Sequence, residues 1–66
     1  MVRPGVYQHY KGNHYRVIGT AKHSETLEEL VVYEALYPCE QKLWVRPTLM
    51  FEEAVGNVLR FTFLHE

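Results

Sequence analysis

Residues 14–22 read His-Tyr-Arg-Val-Ile-Gly-Thr-Ala-Lys, and their alternation decides the fold class. Successive side chains of extended backbone point to opposite sides of a sheet, so a period of two marks a strand with one buried face. Tyr15, Val17, Gly19 and Ala21 share the side read as inward; His14, Arg16, Ile18, Thr20 and Lys22 share the other. Immediately before it, residues 5–10 (GVYQHY) form a short aromatic run, and Lys11-Gly12-Asn13 separates the two. That order predicts an antiparallel hairpin. With Gly12-Asn13 as a two-residue loop, Tyr10 opposes Tyr15, Gln8 opposes Val17, and His9 opposes Arg16 on the outer side. The outer face of the hairpin then carries Tyr7, His9, Arg16 and Ile18.

Working outward, residues 23–29 (HSETLEE) are polar and acidic and read as a loop between strands. Residues 30–37 (LVVYEALY) place β-branched and aromatic side chains on both faces, as a central strand does. After a turn at 38–41, residues 42–46 (KLWVR) give another strand, with Leu43 and Val45 on one face and Trp44 and Arg46 on the other, ended by Pro47. Residues 48–55 (TLMFEEAV) lose the alternation; Met50, Phe51, Ala54 and Val55 make a helical stripe that Thr48 is placed to cap. Gly56-Asn57 stops it, and residues 58–64 (VLRFTFL) close the chain as a strand with Phe61 and Phe63 on one face. About five short antiparallel strands with a helical turn before the last predict a mainly β fold, a small SH3-like barrel, with residues 1–66 as a single domain. A split α+β sandwich is the alternative if 48–55 is a longer helix.

A chain of 66 residues has room for one core, and its large side chains must supply it. A formal net charge of −1 argues against gripping phosphate backbones by bulk electrostatics. The single cysteine, Cys39, permits no internal disulfide and fits a reducing, cytoplasmic setting. The start of the chain has no apolar run of signal-peptide type, and no stretch is long enough to span a bilayer, so no membrane association is expected.

Taken together, Gly5-Val-Tyr7-Gln-His9-Tyr10-Lys11-Gly12, Tyr15-Arg-Val-Ile-Gly19, His23-Ser24-Glu25-Thr26, Leu30-Val-Val-Tyr33 with Leu36-Tyr37, Leu43-Trp44-Val45-Arg46-Pro47 with Met50-Phe51, and Arg60-Phe61 resemble domain-of-unknown-function family 1653, short, mainly bacterial proteins. The likeness runs over nearly the whole chain. It implies no activity, substrate or site. One departure stands out: after His-Ser-Glu-Thr the family tends to carry glycine, and this chain has Leu27.

Four histidines and Cys39 raise the question of a metal, but no ligand spacing is present, so neither a metal nor a cofactor is assigned. His23-Ser24-Glu25 holds the residue types of a nucleophilic relay, yet neighbours on an extended chain diverge, and the bland reading is a turn whose side chains satisfy loop amides. An enzyme or metal-dependent protein would need His9, His23, Ser24 and Glu25 to converge. Trp44 and Arg46, projecting from one strand face, suit a platform for a ring, a proline or a base. The preferred reading of Trp44, however, buries it in a core short of large side chains and pairs Arg46 with Glu52 or Glu53. The favoured expectation is a non-enzymatic interaction module whose ligand contacts come from Tyr7, His9, Arg16, His23, Glu25, Trp44 and Arg46. Glu25, Glu28 and Glu29 repel phosphate, which favours a protein or peptide partner over nucleic acid. A homodimer formed through apolar surface or paired strand edges is a further expectation.

Overall fold

The computed structural model describes residues 2–66. In chain order the elements are β1 (Gly5–His9), β2 (His14–Lys22), β3 (Glu29–Ala35), β4 (Leu43–Pro47), α1 (Thr48–Phe51), β5 (Ala54–Val55), β6 (Val58–Leu59) and β7 (Phe61–His65). Five strands form one sheet in the order β4-β3-β2-β1-β7, every neighbour antiparallel, and β5 and β6 make a separate small hairpin. The fold is therefore mainly β with one short helix. Among the described residues β4 and β7 do not pair, so the sheet stays open where a closed barrel was expected. It is strongly curled, however, because Phe61 on the β7 edge comes within 5.6 Å, ring to ring, of Tyr33 on β3.

The β1–β2 register differs from the sequence expectation. Gly12 N–H donates to the His9 carbonyl at 2.7 Å and His9 N–H to the Asn13 carbonyl at 2.8 Å, which closes a loop over residues 10–12 instead of a two-residue turn. Gly12 takes φ 109°, a conformation open to glycine and strained for other residues, and this permits the longer loop. Tyr7 now opposes Tyr15, and Gln8 opposes His14. The shift is odd-numbered, so β1 turns over: Tyr7 and His9 join Tyr15 and Val17 on the inner face, while Val6 and Gln8 take the outer one.

Inside the curl lie Tyr7, Val17, Val31, Tyr33, Phe51 and Phe61, with Val2 and the flanks of Tyr15 and Phe63. Val17 and Val31 are sealed from solvent, as the alternation in β2 and β3 requires. A bulge between Val17 and Gly19 shifts the phase of β2, so Thr20 comes opposite Val31 and the predicted inward placement of Gly19 and Ala21 ends there. Burying a Val, Leu or Phe side chain is worth about 1.5–3 kcal/mol each.

The predicted helix at 48–55 shrinks to one turn. Thr48 does not cap it; its Oγ1 donates instead to the Glu29 carboxylate at 2.8 Å, tying α1 to the start of β3. Ala54 and Val55, counted in the helical stripe, pair with Leu59 and Val58. A two-residue apolar repeat serves a short helix and a short hairpin equally well, and contacts distant in sequence decided between them. Among the described residues no helix is long and apolar enough to cross a membrane.

Candidate functional site

On the inner face, Trp44 pairs across from Tyr33 and Arg46 across from Val31, because β4 runs antiparallel to β3 with an unbroken register. Arg46 then reaches back over the sheet. Its Nε donates to the Tyr33 hydroxyl at 3.4 Å, and its guanidinium carbon stands 5.9 Å from the centre of the Phe61 ring. Among the described residues no ion pair forms on Arg46, whereas Glu53, one of its anticipated partners, binds Arg60 at 3.2 Å. Trp44 is 44% exposed and stands outside the core, contrary to the reading that buried it. It sits on the edge strand, beyond which no further strand pairs among the described residues.

His9 faces the same interior. Its ring lies 4.9 Å from Phe61 and 6.2 Å from Tyr15, both edge-on, and 4.6 Å from Tyr10. Burial holds its pKa below the ordinary imidazole value, and the positive charges of Arg46, Arg60 and Lys11 push it the same way. Near neutral pH the group is therefore an uncharged imidazole surrounded by cations. Tyr15 supports it from below: its hydroxyl meets the Tyr37 hydroxyl at 2.9 Å, and burial first, then that bond, pushes its pKa up to about 12. Around Phe61, then, two tyrosines, Tyr15 and Tyr33, one neutral histidine and a guanidinium without an ion pair among the described residues meet.

Phe61 also borders a cavity of about 270 Å³ lined by Val2, Tyr7, Phe51, Glu52, Leu59 and Phe63. Its walls are aliphatic and aromatic apart from Glu52 and the Tyr7 hydroxyl, and that hydroxyl is committed to the Arg3 carbonyl at 2.8 Å. The surface around Phe61 thus offers a cationic, hydroxyl-bearing half and an apolar half.

The other sequence candidates lie elsewhere. Arg16 stands on the outer face, bordering a second pocket of about 270 Å³ with Val6, His14, Leu36, Leu64 and His65, so the predicted grouping of Tyr7 and His9 with Arg16 does not form. His23 and Glu25 occupy the β2–β3 loop, at the far end of β2 from Tyr15. There His23 Nδ1 accepts the backbone N–H groups of Glu25 at 3.1 Å and Thr26 at 3.3 Å, which is a turn stabilised by its own side chain. His9, His23, Ser24 and Glu25 are not brought together. Among the described residues no three His, Cys, Asp or Glu side chains gather. Tyr15 is read from the sequence as inward but not as part of a site, and Tyr33 and Arg60 are not site candidates there, since only the curl of the sheet brings Tyr15, Tyr33 and Arg60 near His9 or Arg46.

The chain matches, over residues 5–63, the family described as "Protein of unknown function (DUF1653)". It is similar to the crystal structure of a protein belonging to that family from Bordetella bronchiseptica, with 37% sequence identity, a TM-score of 0.92, and coverage of 98% of this chain and 90% of that one. No curated protein matches it.

Proposed function

We propose that this chain, which belongs to the DUF1653 family, is a non-enzymatic interaction module that holds a peptide segment on the inner face of an open, SH3-like half-barrel. The carrying observation is Arg46, a guanidinium with no ion pair among the described residues, set over Phe61 and bonded to the Tyr33 hydroxyl. Lying beside the cationic surroundings of His9, it suits a carboxylate, which a guanidinium binds through paired N–H donors. The adjoining 270 Å³ cavity suits an apolar side chain. An extended peptide with an acidic and an aliphatic residue close together supplies both groups. A nucleic-acid strand matches the cations, but a phosphate backbone offers nothing aliphatic for the cavity, which is why a peptide is preferred. Tyr7 and His9 serve as walls, and Trp44 lies at the open margin.

Amide-shift titration tests this, with three probes: an acidic-aliphatic peptide, its uncharged amide counterpart, and a thymidine oligonucleotide. The expected result is saturable shifts at residues 9, 33, 46, 51 and 61 with the acidic peptide alone, weakened at least tenfold in Arg46→Ala. Shifts with the oligonucleotide only, or with none of the three, would overturn the peptide reading.

A further inference from the structure

We propose that two copies of the chain pair antiparallel along β4, with the two-fold axis at Val45, so that Trp44 of each copy packs over Arg46 of the other. β4 is an edge strand, and the phase of its ladder is fixed by the Ala35 N–H, which donates to the Lys42 carbonyl at 2.8 Å. In an antiparallel ladder the hydrogen-bonded positions alternate. Residues 42, 44 and 46 therefore exchange bonds with β3, and residues 43, 45 and 47 direct their backbone groups outward. Pro47 has no N–H to offer. The Leu43 carbonyl is already taken by Gln41 Nε2 at 3.0 Å. Val45 keeps both its N–H and its carbonyl toward solvent, and it is the one outward position able to make a reciprocal pair.

Pairing Val45 with itself fixes every other contact. Trp44 falls opposite the partner's Arg46, at a position without backbone bonds, where side chains approach most closely. Leu43 falls opposite the partner's Pro47 on the outer face. Aromatic, aliphatic and cation thus read as self-complementary about their centre, and the pairing covers residues that stand 56% (Leu43), 44% (Trp44) and 58% (Val45) exposed. A guanidinium over an indole is a favourable cation–π pair, and it covers the exposed Trp44 while adding a second ring to an Arg46 that already meets the Tyr33 hydroxyl and Phe61. Natural edge strands are commonly blunted by an inward charge or a proline; in β4 the inward charge, Arg46, and Pro47 both stand at the end of the strand, and Leu43-Trp44-Val45 carries neither. One short strand buries less than the usual ~1,200 Å² of a stable interface, so the pair belongs to the weak, concentration-dependent class. The partner's Trp44 would then wall the margin of each Arg46 site, although the pairing itself needs no ligand.

Sedimentation equilibrium of the ligand-free chain from micromolar to millimolar concentration tests the proposal. The expected result is a monomer–dimer equilibrium accompanied by a blue shift of Trp44 fluorescence. Val45→Pro removes both inter-copy N–H donors without touching the β3 ladder, and should weaken association at least a hundredfold while leaving the amide spectrum of the inner face unchanged. Should that variant misfold, Val45→Lys opposes two like charges at the axis and should weaken association in a way that added salt partly restores. Leu49→Ser, off the strand, should associate as the parent does. A parent chain that stays monomeric at millimolar concentration, or a folded Val45 variant that associates as the parent does, overturns the proposal. Ligand binding by a strictly monomeric chain would sink the dimer and leave the peptide reading standing.

Discussion

Phe51 and Phe61 lie face to face, with ring centroids 4.1 Å apart and planes 4° from parallel. Every other ring contact of the core is edge-on, as between Tyr7 and Phe51 at 5.4 Å or Tyr33 and Phe61 at 5.6 Å. Edge-on and offset arrangements suit the ring quadrupoles, and direct stacking is tolerated where packing demands it. Here the demand is architectural: α1 has a single turn, and Phe51 is its one buried residue. Through that residue the helix is fastened across the open mouth of the sheet.

Phe51→Ala should therefore be the most damaging core substitution outside the strands. Losing a buried phenylalanine costs about 3–5 kcal/mol, against a net stability of roughly 3–10 kcal/mol for a chain of this length. The expected outcome is a large fall in the urea midpoint, or outright unfolding, read by far-ultraviolet dichroism. Phe51→Leu, which keeps most of the volume, should cost under about 1.5 kcal/mol.

Gly5 predicts a second, backbone-borne effect. It holds φ 147°, and a Cβ there would meet the Phe63 ring at 2.8 Å and the His65 carbonyl at 2.9 Å. The β1–β7 register shifts between Val6 and Tyr7, and the glycine lets the two backbones approach where it does. Gly5→Ala should lower stability by about 1–3 kcal/mol through strain and overlap. Amide exchange should rise first at the β7 end of the sheet.

The strands and their faces were legible where they depend on local alternation. Val17 lies inside, on the side its alternation marked, whereas for β3, apolar on both faces, the alternation left open that Val31 and Tyr33 would be the buried set. The orientation of β1 was not legible, because Lys11-Gly12-Asn13 is compatible with loops of two or three residues, and the choice reverses every side chain of the strand. Closure was not legible either: whether the β4 and β7 edges meet depends on sheet curvature, which no window of sequence records. The site divides along the same line. Trp44 and Arg46 could be placed on one face from their spacing, while the approach of both Arg46 and His9 to the Phe61 ring needed the true register and the curl.

His9 reports on the charge of Arg46 through its proton. Its pKa lies below the ordinary value of about 6.5 first by burial and then by the charge of Arg46, so Arg46→Ala should raise it. Because the folded chain binds the proton less readily than the unfolded one, the stability His9 contributes is present above about pH 6.5 and is lost as pH falls through the folded pKa. Imidazole shifts followed by pH titration should show the upward move in the variant. No change would mean that the guanidinium does not face the ring.

Tyr15 works in the opposite sense. With its pKa pushed up to about 12 by burial and by the Tyr37 hydroxyl, it keeps its proton in the folded chain after an unfolded tyrosine, near 10, would lose it. That contribution is complete below about pH 10 and disappears as pH rises through the folded value. Phenolate absorbance should show one tyrosine ionising late, together with unfolding. Tyr37→Phe should move that step to lower pH.

Leu27 carries the prediction in which sequence and structure meet most directly. The loop that joins β2 to β3 closes with His23 N–H on the Glu28 carbonyl and Leu27 N–H on the His23 carbonyl, both at 2.9 Å. To make these bonds Leu27 adopts φ 62°, the left-handed region, and among the described residues it is the one non-glycine to do so. A residue with a Cβ gives up roughly 1–2 kcal/mol there, and a leucine gains nothing back by burial when it is 64% exposed. The position is the one where the resemblance to the family leads one to expect glycine. Leu27→Gly relieves the strain but also frees the unfolded chain, an opposing term of about 0.5–1 kcal/mol. The net expectation is a modest gain, between zero and about 1.5 kcal/mol by that difference, with the hydrogen bonds of His23 unchanged. Leu27→Asn, which tolerates the same conformation with a smaller loss of chain stiffness, should gain as well, whereas Leu27→Val, stiffer at its branched carbon, should lose stability. Thermal denaturation of the three variants ranks them; if valine matched or exceeded glycine, the left-handed geometry of this loop would be wrong.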